Sequence, residues 1–254
     1  MEILYIGQIN SGATSLHRKE ALERLGHSCQ ALDPSDAVKR SLSNGLTAKI
    51  HYRTGFRFLA GKVERWMIRQ LARLPKKPEM VWINSGQYLS PLSMQVLKAL
   101  EVPLVLYNNG DPTGGRDPGC WHLLLKSLPC YDLCVSLRNP TVRDMIDRGA
   151  RRGYRVWMSY DEVSHVPPAE DEELDEIFRS DVVFVGTWMR HENRHVFLRE
   201  LLDAGIRVKI WGNRWNKCDD RELIEKCWTG KAASGQDYVH AIAGAKICLG
   251  LLSK

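Results

Sequence analysis

One pattern occurs twice in this chain and limits what it can fold into. A short apolar run ends in glycine, a polar loop follows, then a helix-like stretch stops at a second glycine nineteen positions after the first. The first copy is "EILYIG", closing at Gly7, with the loop "QINSGATS" and the stretch "LHRKEALERL" stopping at Gly26. The second is "VVFVG", closing at Gly186, with a basic loop and then "HVFLRELLDA", stopping at Gly205. "SCQALD" and "IRVKIWG" follow as the next strands. An apolar strand feeding a Gly-bearing loop and a helix is the opening of a parallel βα unit. Glycine just past a helix end is a C-terminal stop. Two such openings predict an α/β chain with two Rossmann-like domains in tandem.

The alternation continues between the openings. "MVWINSG" at 80–86 reads as a strand, and "SPLSMQVLKALE" at 90–101 as a helix capped by Ser90 with Pro91 at its first position. "PLVLYNNGDP", "YDLCVSL" and "RVWMSYD" read as strands, "CWHLLLKSL" and "NPTVRDMIDRGA" as helices. Thr14 or Ser15 is expected to cap the first helix. The expected division is a first domain over 1–165, a linker over 166–180 and a second domain over 181–254. The Pro-Pro and acidic run within "SHVPPAEDEELDE" mark either a linker or a helix start, where acidic side chains suit the helix dipole. Only three strands are evident after Asp181, "VVFVG", "IRVKIWG" and "ICLGLL", with "DYVHAIAGAK" as a helix before the last. A doubly wound domain normally continues beyond that. The second domain is therefore expected to be incomplete, as a fragment or as a short form completed by a partner.

Composition narrows the class. The formal net charge of +6 on 254 residues hints at an anionic partner without marking a nucleic-acid binder. The seven cysteines are scattered and form no C-x-x-C pair, which supports neither a zinc ribbon nor a disulfide framework. Reduced thiols fit a cytoplasmic protein. The opening residues lack the features of a signal peptide, and no apolar run is long enough to span a bilayer.

Four stretches carry candidate chemistry. The turn at Gly186 lies between a strand and the start of a helix near Asn193, where free N–H groups and the helix dipole favour an anion. Arg190 and Arg194 could neutralise a diphosphate there, or be solvated loop charges. The loop is not G-x-G-x-x-G and has no acidic residue placed for a dinucleotide ribose, which disfavours NAD and points to a nucleotide-sugar. The Gly7 loop offers Gly12, Ser11, Thr14, Ser15 and Arg18 to the crevice at the sheet's carboxyl edge, with His17 as a candidate base. In "NNGDPTGGRD", Asp111 could meet an acceptor hydroxyl or serve as a turn residue. Arg116 follows in the same turn. The stretch "YRTGFRFLAGKVERWMIRQLARLPKKP" reads as one basic amphipathic helix over 53–77. It would be a peripheral contact with an anionic membrane, a polyanion contact, or a packed helix with a solvated charged face. Its aromatics do not interleave with its cations as a single-stranded nucleic-acid platform needs.

"YIGQINSGATSLHRKEALERLGH", "YNNGDPTGGRD…W…YDLCVSLRNPTVRDMIDRGARR", "DVVFVGTW…IWGNRW" and "QDYVHAIAGAKICLGLLSK" together resemble the bacterial CgeB-like (spore maturation protein) glycosyltransferases, in order and over nearly the whole chain. The resemblance implies a GT-B glycosyltransferase: two Rossmann-like domains facing across a cleft, the second holding a nucleoside-diphosphate sugar, with neither metal nor cofactor. It implies transfer of the sugar to a glycan, protein or small-molecule acceptor; the reduced thiols suggest the cytoplasm, and the basic 53–77 stretch a peripheral position at the inner membrane face. Gly186, Thr187 and Arg194 match the donor loop, Gly212 and Trp215 its W-G-x-x-W element, and Gly12, Ser15 and Arg18 the first-domain loop. Asp111 sits where the family often has a doubled acidic or Asp-Asn turn, and "NNGDP" departs from that pattern. The family also continues past "LLSK" into residues that complete the donor site. The alternative is a non-catalytic module, derived from such an enzyme, that binds a glycan or an anionic surface.

Overall fold

The structure, a computed structural model, describes residues 1–115, 117 and 119–251. The chain divides into two compact units, Met1–Ser159 and Tyr160–Lys254.

The first unit opens with β1 (Glu2–Ile6), α1 (Thr14–Arg24) and β2 (Ser28–Leu32). It continues through α2 (Ser35–Val38), α3 (Gly45–Arg53), α4 (Ala60–Leu71), β3 (Met80–Asn84), α5 (Pro91–Lys98) and β4 (Leu104–Asn108). It closes with α6 (His122–Ser127), β5 (Leu133–Ser136), α7 (Asn139–Asp147) and β6 (Gly153–Arg155). The six strands form one parallel sheet in the order β2-β1-β3-β4-β5-β6. β2 lies on one side of β1 and β3 on the other, so the winding reverses at β1. Open α/β sheets bind ligands beyond the carboxyl ends of the strands at such a reversal.

Strands buried on both faces read as continuous apolar runs rather than alternating ones. Accordingly Ile3, Leu4, Tyr5 and Ile6 are all buried. One face of the sheet joins Leu4, Ile6, Val81, Ile83 and Leu106 to Val63, Met67, Met94 and Leu97 of the helices. The other joins Val105, Tyr107 and Val135, with Trp82 and Val156 packed against them.

The second unit has β7 (Ser180–Val185), α8 (Arg194–Asp203), β8 (Val208–Trp211), α9 (Arg221–Cys227), α10 (Gln236–Ala243) and β9 (Ala245–Leu249). Its parallel three-stranded sheet runs β8-β7-β9, with β7 in the centre. Phe184, Leu198, Ile210, Trp215 and Leu223 fill one face. On the other, the rings of Phe178 and Trp211 stack at 5.2 Å between centroids. Both βα openings are present, and Gly26 and Gly205 take the left-handed conformation expected of helix stops, at φ 85° and 77°.

Several local expectations are corrected. The basic stretch 53–77 is not one helix: α3 ends at Arg53, Gly55 and Phe56 turn the chain with positive φ, a short 3₁₀ turn spans Arg57–Leu59, and α4 begins at Ala60. Phe56 is drawn into the core, which sets that break. "RVWMSYD" contributes only Arg155 to β6, and the acidic run before β7 forms turns without a helix. Neither Thr14 nor Ser15 caps α1: its cap residue is Ala13, with no side-chain hydrogen bond, and Ser15 is buried inside the helix. Ser90 does cap α5, its hydroxyl accepting from the Ser93 N–H at 3.2 Å with Pro91 in the first turn. Among the described residues no helix is long and apolar enough to cross a membrane.

Candidate functional site

In the second unit the chain leaves the carboxyl end of the central strand at Gly186 and reaches α8 through Thr187–Asn193. Three hydrogen bonds and one left-handed residue shape this loop. The Gly186 N–H donates to the Trp211 carbonyl at 2.8 Å, and the Trp188 N–H to the Asn213 carbonyl at 2.9 Å. The Trp215 indole Nε1–H donates to the Gly186 carbonyl oxygen at 2.8 Å. Asn193, at φ 48°, turns the chain left-handed into α8, a conformation asparagine tolerates better than most residues. The first turn of α8 then presents backbone N–H groups and the positive end of the helix dipole at the carboxyl edge of the sheet.

Arg194 is not a loose cation on this loop. Its guanidinium pairs with the Glu192 carboxylate, donates to the Thr187 carbonyl at 3.1 Å and lies 5.4 Å from the Phe184 ring centroid. Both members of the ion pair are largely buried. Arg190 and His191 are exposed at the outer bend of the same loop.

The expected roles of three residues change. A β-carbon on Gly186 would stand 2.6 Å from the Phe184 ring, so internal packing alone accounts for glycine there. Gly212 lies against the Gly186 carbonyl, and its own carbonyl accepts from the Trp228 indole N–H at 2.9 Å. Trp215 is fully buried. Gly212 and Trp215 thus hold the loop in place and offer no surface to a ligand.

In the first unit a crevice opens where the winding reverses. Its lining comes from the ends of β1 and β2 and the turn after β3: Gly7, Gln8, Asp33, Asn84, Ser85 and Gln87 carry its polar groups. Its volume is about 410 Å³ counting the open mouth. Ser85 and Gly86 both have φ of 73°, an unusual state for serine that turns the backbone sharply beside the crevice. The turn is fixed by the Asn108 amide, which donates to the Ser85 carbonyl at 2.8 Å. Asp33 is buried and is the one carboxylate among the described lining residues. It accepts from the Ser35 N–H at 2.9 Å and the Ile9 N–H at 3.4 Å. Tyr88 lines the same wall, and burial pushes its phenol above the ordinary value.

The first-domain residues picked from sequence stand around this crevice rather than in its lining. Ser15 is buried, within 3.1 Å of the Tyr5 hydroxyl, which also donates to the Ser15 carbonyl. Burial pushes the Tyr5 phenol up to about 12. Arg18 donates to the Asn84 side-chain oxygen at 3.2 Å and stacks over Tyr107 at 4.3 Å, so it reaches the crevice through Asn84. Gly12 is an exposed left-handed turn residue, and His17 is half-buried on α1. Asp111 lies elsewhere: Arg138 donates to one of its oxygens at 2.6 Å and the Thr141 hydroxyl to the other at 3.0 Å, tying the β4 loop to the start of α7. Arg116 lies outside the described residues.

Asp33, Ser85, Gln87, Tyr88 and Glu192 escaped the sequence reading. An Asp-Pro after a strand, an Asn-Ser-Gly turn after another, and an acid beside the basic loop were the available signals.

No family model matches the sequence, and no curated protein matches it. Solved structures do match its fold. A UDP-forming α,α-trehalose-phosphate synthase from Burkholderia xenovorans matches 97% of this chain and 77% of its own, at 14% identity and TM-score 0.58. A protein assigned as a UDP-N-acetylglucosamine 2-epimerase, from Listeria monocytogenes, matches over 98% and 73% at 9% identity and TM-score 0.56. UGT89C1 of Arabidopsis thaliana, solved with UDP, matches over 91% and 70% at 14% identity and TM-score 0.54. The fold is thus α/β with two Rossmann-like units of GT-B type.

Proposed function

We propose that the chain is a glycosyltransferase that takes a sugar from a uridine-diphosphate sugar and passes it to a hydroxyl-bearing acceptor. The observation that carries this reading is the loop Gly186–Asn193. It leaves the central strand of the second unit, leads to Arg190 and Arg194, and opens onto the N-terminus of a full-length helix. That arrangement suits a diphosphate, because oriented N–H groups and fixed cations stabilise the negative charge that grows on a departing nucleoside diphosphate. The similar structures support a uridine nucleotide, since their descriptions all involve UDP or a UDP-sugar.

Arg190, Thr187 and the α8 N-terminus contact the diphosphate. Arg194 does so once it exchanges Glu192 for phosphate. Gly186, Gly212 and Trp215 keep the loop in register. On the acceptor side the Asp33 crevice receives the hydroxyl group. His17 and Asp111 are the bases suggested by the sequence. Asp33 is the stronger candidate, because it lines the crevice at the winding reversal and, among the described residues, accepts only from backbone N–H groups, whereas Asp111 is ion-paired with Arg138. The CgeB-like family is the specific assignment we favour, with a glycan, protein or small-molecule acceptor.

Isothermal calorimetry with UDP, then an assay for UDP release from UDP-glucose or UDP-N-acetylglucosamine, tests the reading. Saturable UDP binding weakened about tenfold by Arg190→Ala is expected for a lost charge-assisted contact. Absence of UDP binding would remove the donor assignment. Interconversion of UDP-N-acetylglucosamine at C2 without any acceptor would replace transfer by epimerisation.

A further inference from the structure

The candidate site uses none of the most cationic part of the chain. From Lys39 to Lys77 there are eleven Lys or Arg residues and one acid, Glu64, although the whole chain carries only +6. The rest of the molecule is therefore net negative, and the positive charge is concentrated on α3, the Arg57–Leu59 turn and α4.

The turn and α4 have an inner and an outer side, and no residue of α3 is buried. Phe56, Leu59, Val63 and Met67 are buried in the core. The outer side is not purely charged, as a solvated helix face would be. Leu46 is 68% exposed, Phe58 65%, Ile50 49% and Ile68 48%. On α3, Leu46, Lys49, Ile50 and Arg53 fall at i, i+3, i+4 and i+7, which is one face. On α4, Arg65, Ile68 and Arg69 share a face in the same way. Both helices pack against the turn that carries Phe58, and the Arg57 guanidinium lies 4.9 Å from the Phe58 ring centroid. A single exposed Leu needs no explanation. Four large apolar side chains, each beside a cation and all within one strongly positive segment, do.

We infer that this surface docks the first unit onto an anionic lipid bilayer. Leu46, Ile50, Phe58 and Ile68 enter the headgroup–acyl boundary, and the flanking Lys and Arg side chains extend to lipid phosphates. Aliphatic insertion with snorkelling cations is the physical signature of an interfacial helix. Juxtaposed basic residues add attraction to an anionic leaflet. A soluble polyanion would use the cations and leave the aliphatic side chains in water, so it explains half of the surface.

Flotation of the full chain with phosphatidylglycerol-containing vesicles, against vesicles of phosphatidylcholine alone, tests the inference. Two double variants accompany it, Ile50→Ser with Phe58→Ser and Arg65→Gln with Arg69→Gln, each checked by thermal melting for an unchanged fold. Wild type is expected to float with the anionic vesicles and not the neutral ones, and less so as salt rises. Each double variant is expected to lower partitioning at least tenfold. No flotation with anionic vesicles at low salt overturns the inference. So does equal flotation with neutral vesicles. Loss of binding in the arginine variant alone, with heparin displacing the wild type, would assign the surface to a soluble polyanion and also overturn it.

Discussion

Gly212 lies against the backbone of Gly186 so closely that a β-carbon on Gly212 would overlap the Gly186 carbonyl group. The same carbonyl oxygen accepts the Trp215 indole N–H. The ends of β7 and β8 therefore meet backbone to backbone, and no flexible side chain is available to give way. Gly212→Ala should cost about 3 kcal/mol, the upper part of the range for forced overpacking. Gly205→Ala is the control. Its φ of 77° is strained for alanine but the space around it is open, so it should cost about 1 kcal/mol. Urea unfolding of the two variants checks this. Equal losses would mean that the close approach is not rigid.

Trp215→Phe keeps a buried ring and removes the hydrogen bond to the loop. A buried acceptor left without its donor costs about 1–3 kcal/mol. The effect should also appear in UDP binding, because the Gly186 carbonyl would no longer be pinned. Calorimetry should show weaker UDP affinity in Trp215→Phe although Trp215 offers no surface to a ligand. Unchanged affinity would confine Trp215 to packing.

Glu192 holds the guanidinium that the diphosphate needs, so it competes with the ligand. Glu192→Gln keeps the shape, removes the anion and should tighten UDP binding several-fold. Arg194→Met leaves Glu192 partly buried without its cation. It should lose UDP affinity and also about 3 kcal/mol of stability, as breaking a buried pair does. Weaker UDP binding by Glu192→Gln would show that the pair is needed to shape the loop.

Much of the fold was legible in the sequence because βα units are local: strand, glycine, helix and stop glycine are contiguous, and both openings formed where they were expected. The break at Phe56 was not legible, since it depends on the Phe56 ring entering a core assembled from distant strands. The acidic run before β7 has helix-friendly charges but few apolar side chains to bury, and it forms turns. At the candidate site the loop Gly186–Arg194 was visible as a basic turn. Its wiring was not, because the Trp215 donor and the crevice wall at Asp33 and Asn84–Leu89 come from remote segments. Spacing locates a loop, but it does not tell which arginine is already paired.

Asp181 ties the amino ends of the second sheet together. Lys246 approaches its carboxylate at 2.7 Å, and the Arg207 N–H donates to it at 3.1 Å. The Lys246 hydrogen bond, then the Arg207 N–H, hold its pKa below the ordinary value. A depressed carboxylate stabilises the fold above the unfolded-state pKa, and that contribution is lost as pH falls through the folded-state value. Melting curves should therefore fall below about pH 4 in wild type. The fall should be shallower in Asp181→Asn, which lacks the titrating group. Parallel curves would show that other carboxylates govern the acid limb.

Asp33→Asn and Asp111→Asn separate the two acids as candidate bases. The amide introduced by Asp33→Asn retains an oxygen for the Ser35 N–H but turns its NH2 toward the Ile9 N–H, which gives up the longer of the two contacts. As a general base, Asp33 contributes about 10²–10⁴ in rate. Asp33→Asn should then lower kcat by that order, leave UDP affinity unchanged and lower the melting temperature only slightly. Asp111→Asn removes the charge that faces Arg138, with which it pairs across the start of α7. It should lower the melting temperature more than it lowers kcat. The reverse pattern, full turnover in Asp33→Asn and none in a stably folded Asp111→Asn, would move the acceptor base to the turn after β4. The crevice at the winding reversal would then be a structural consequence of the Ser85–Gly86 turn.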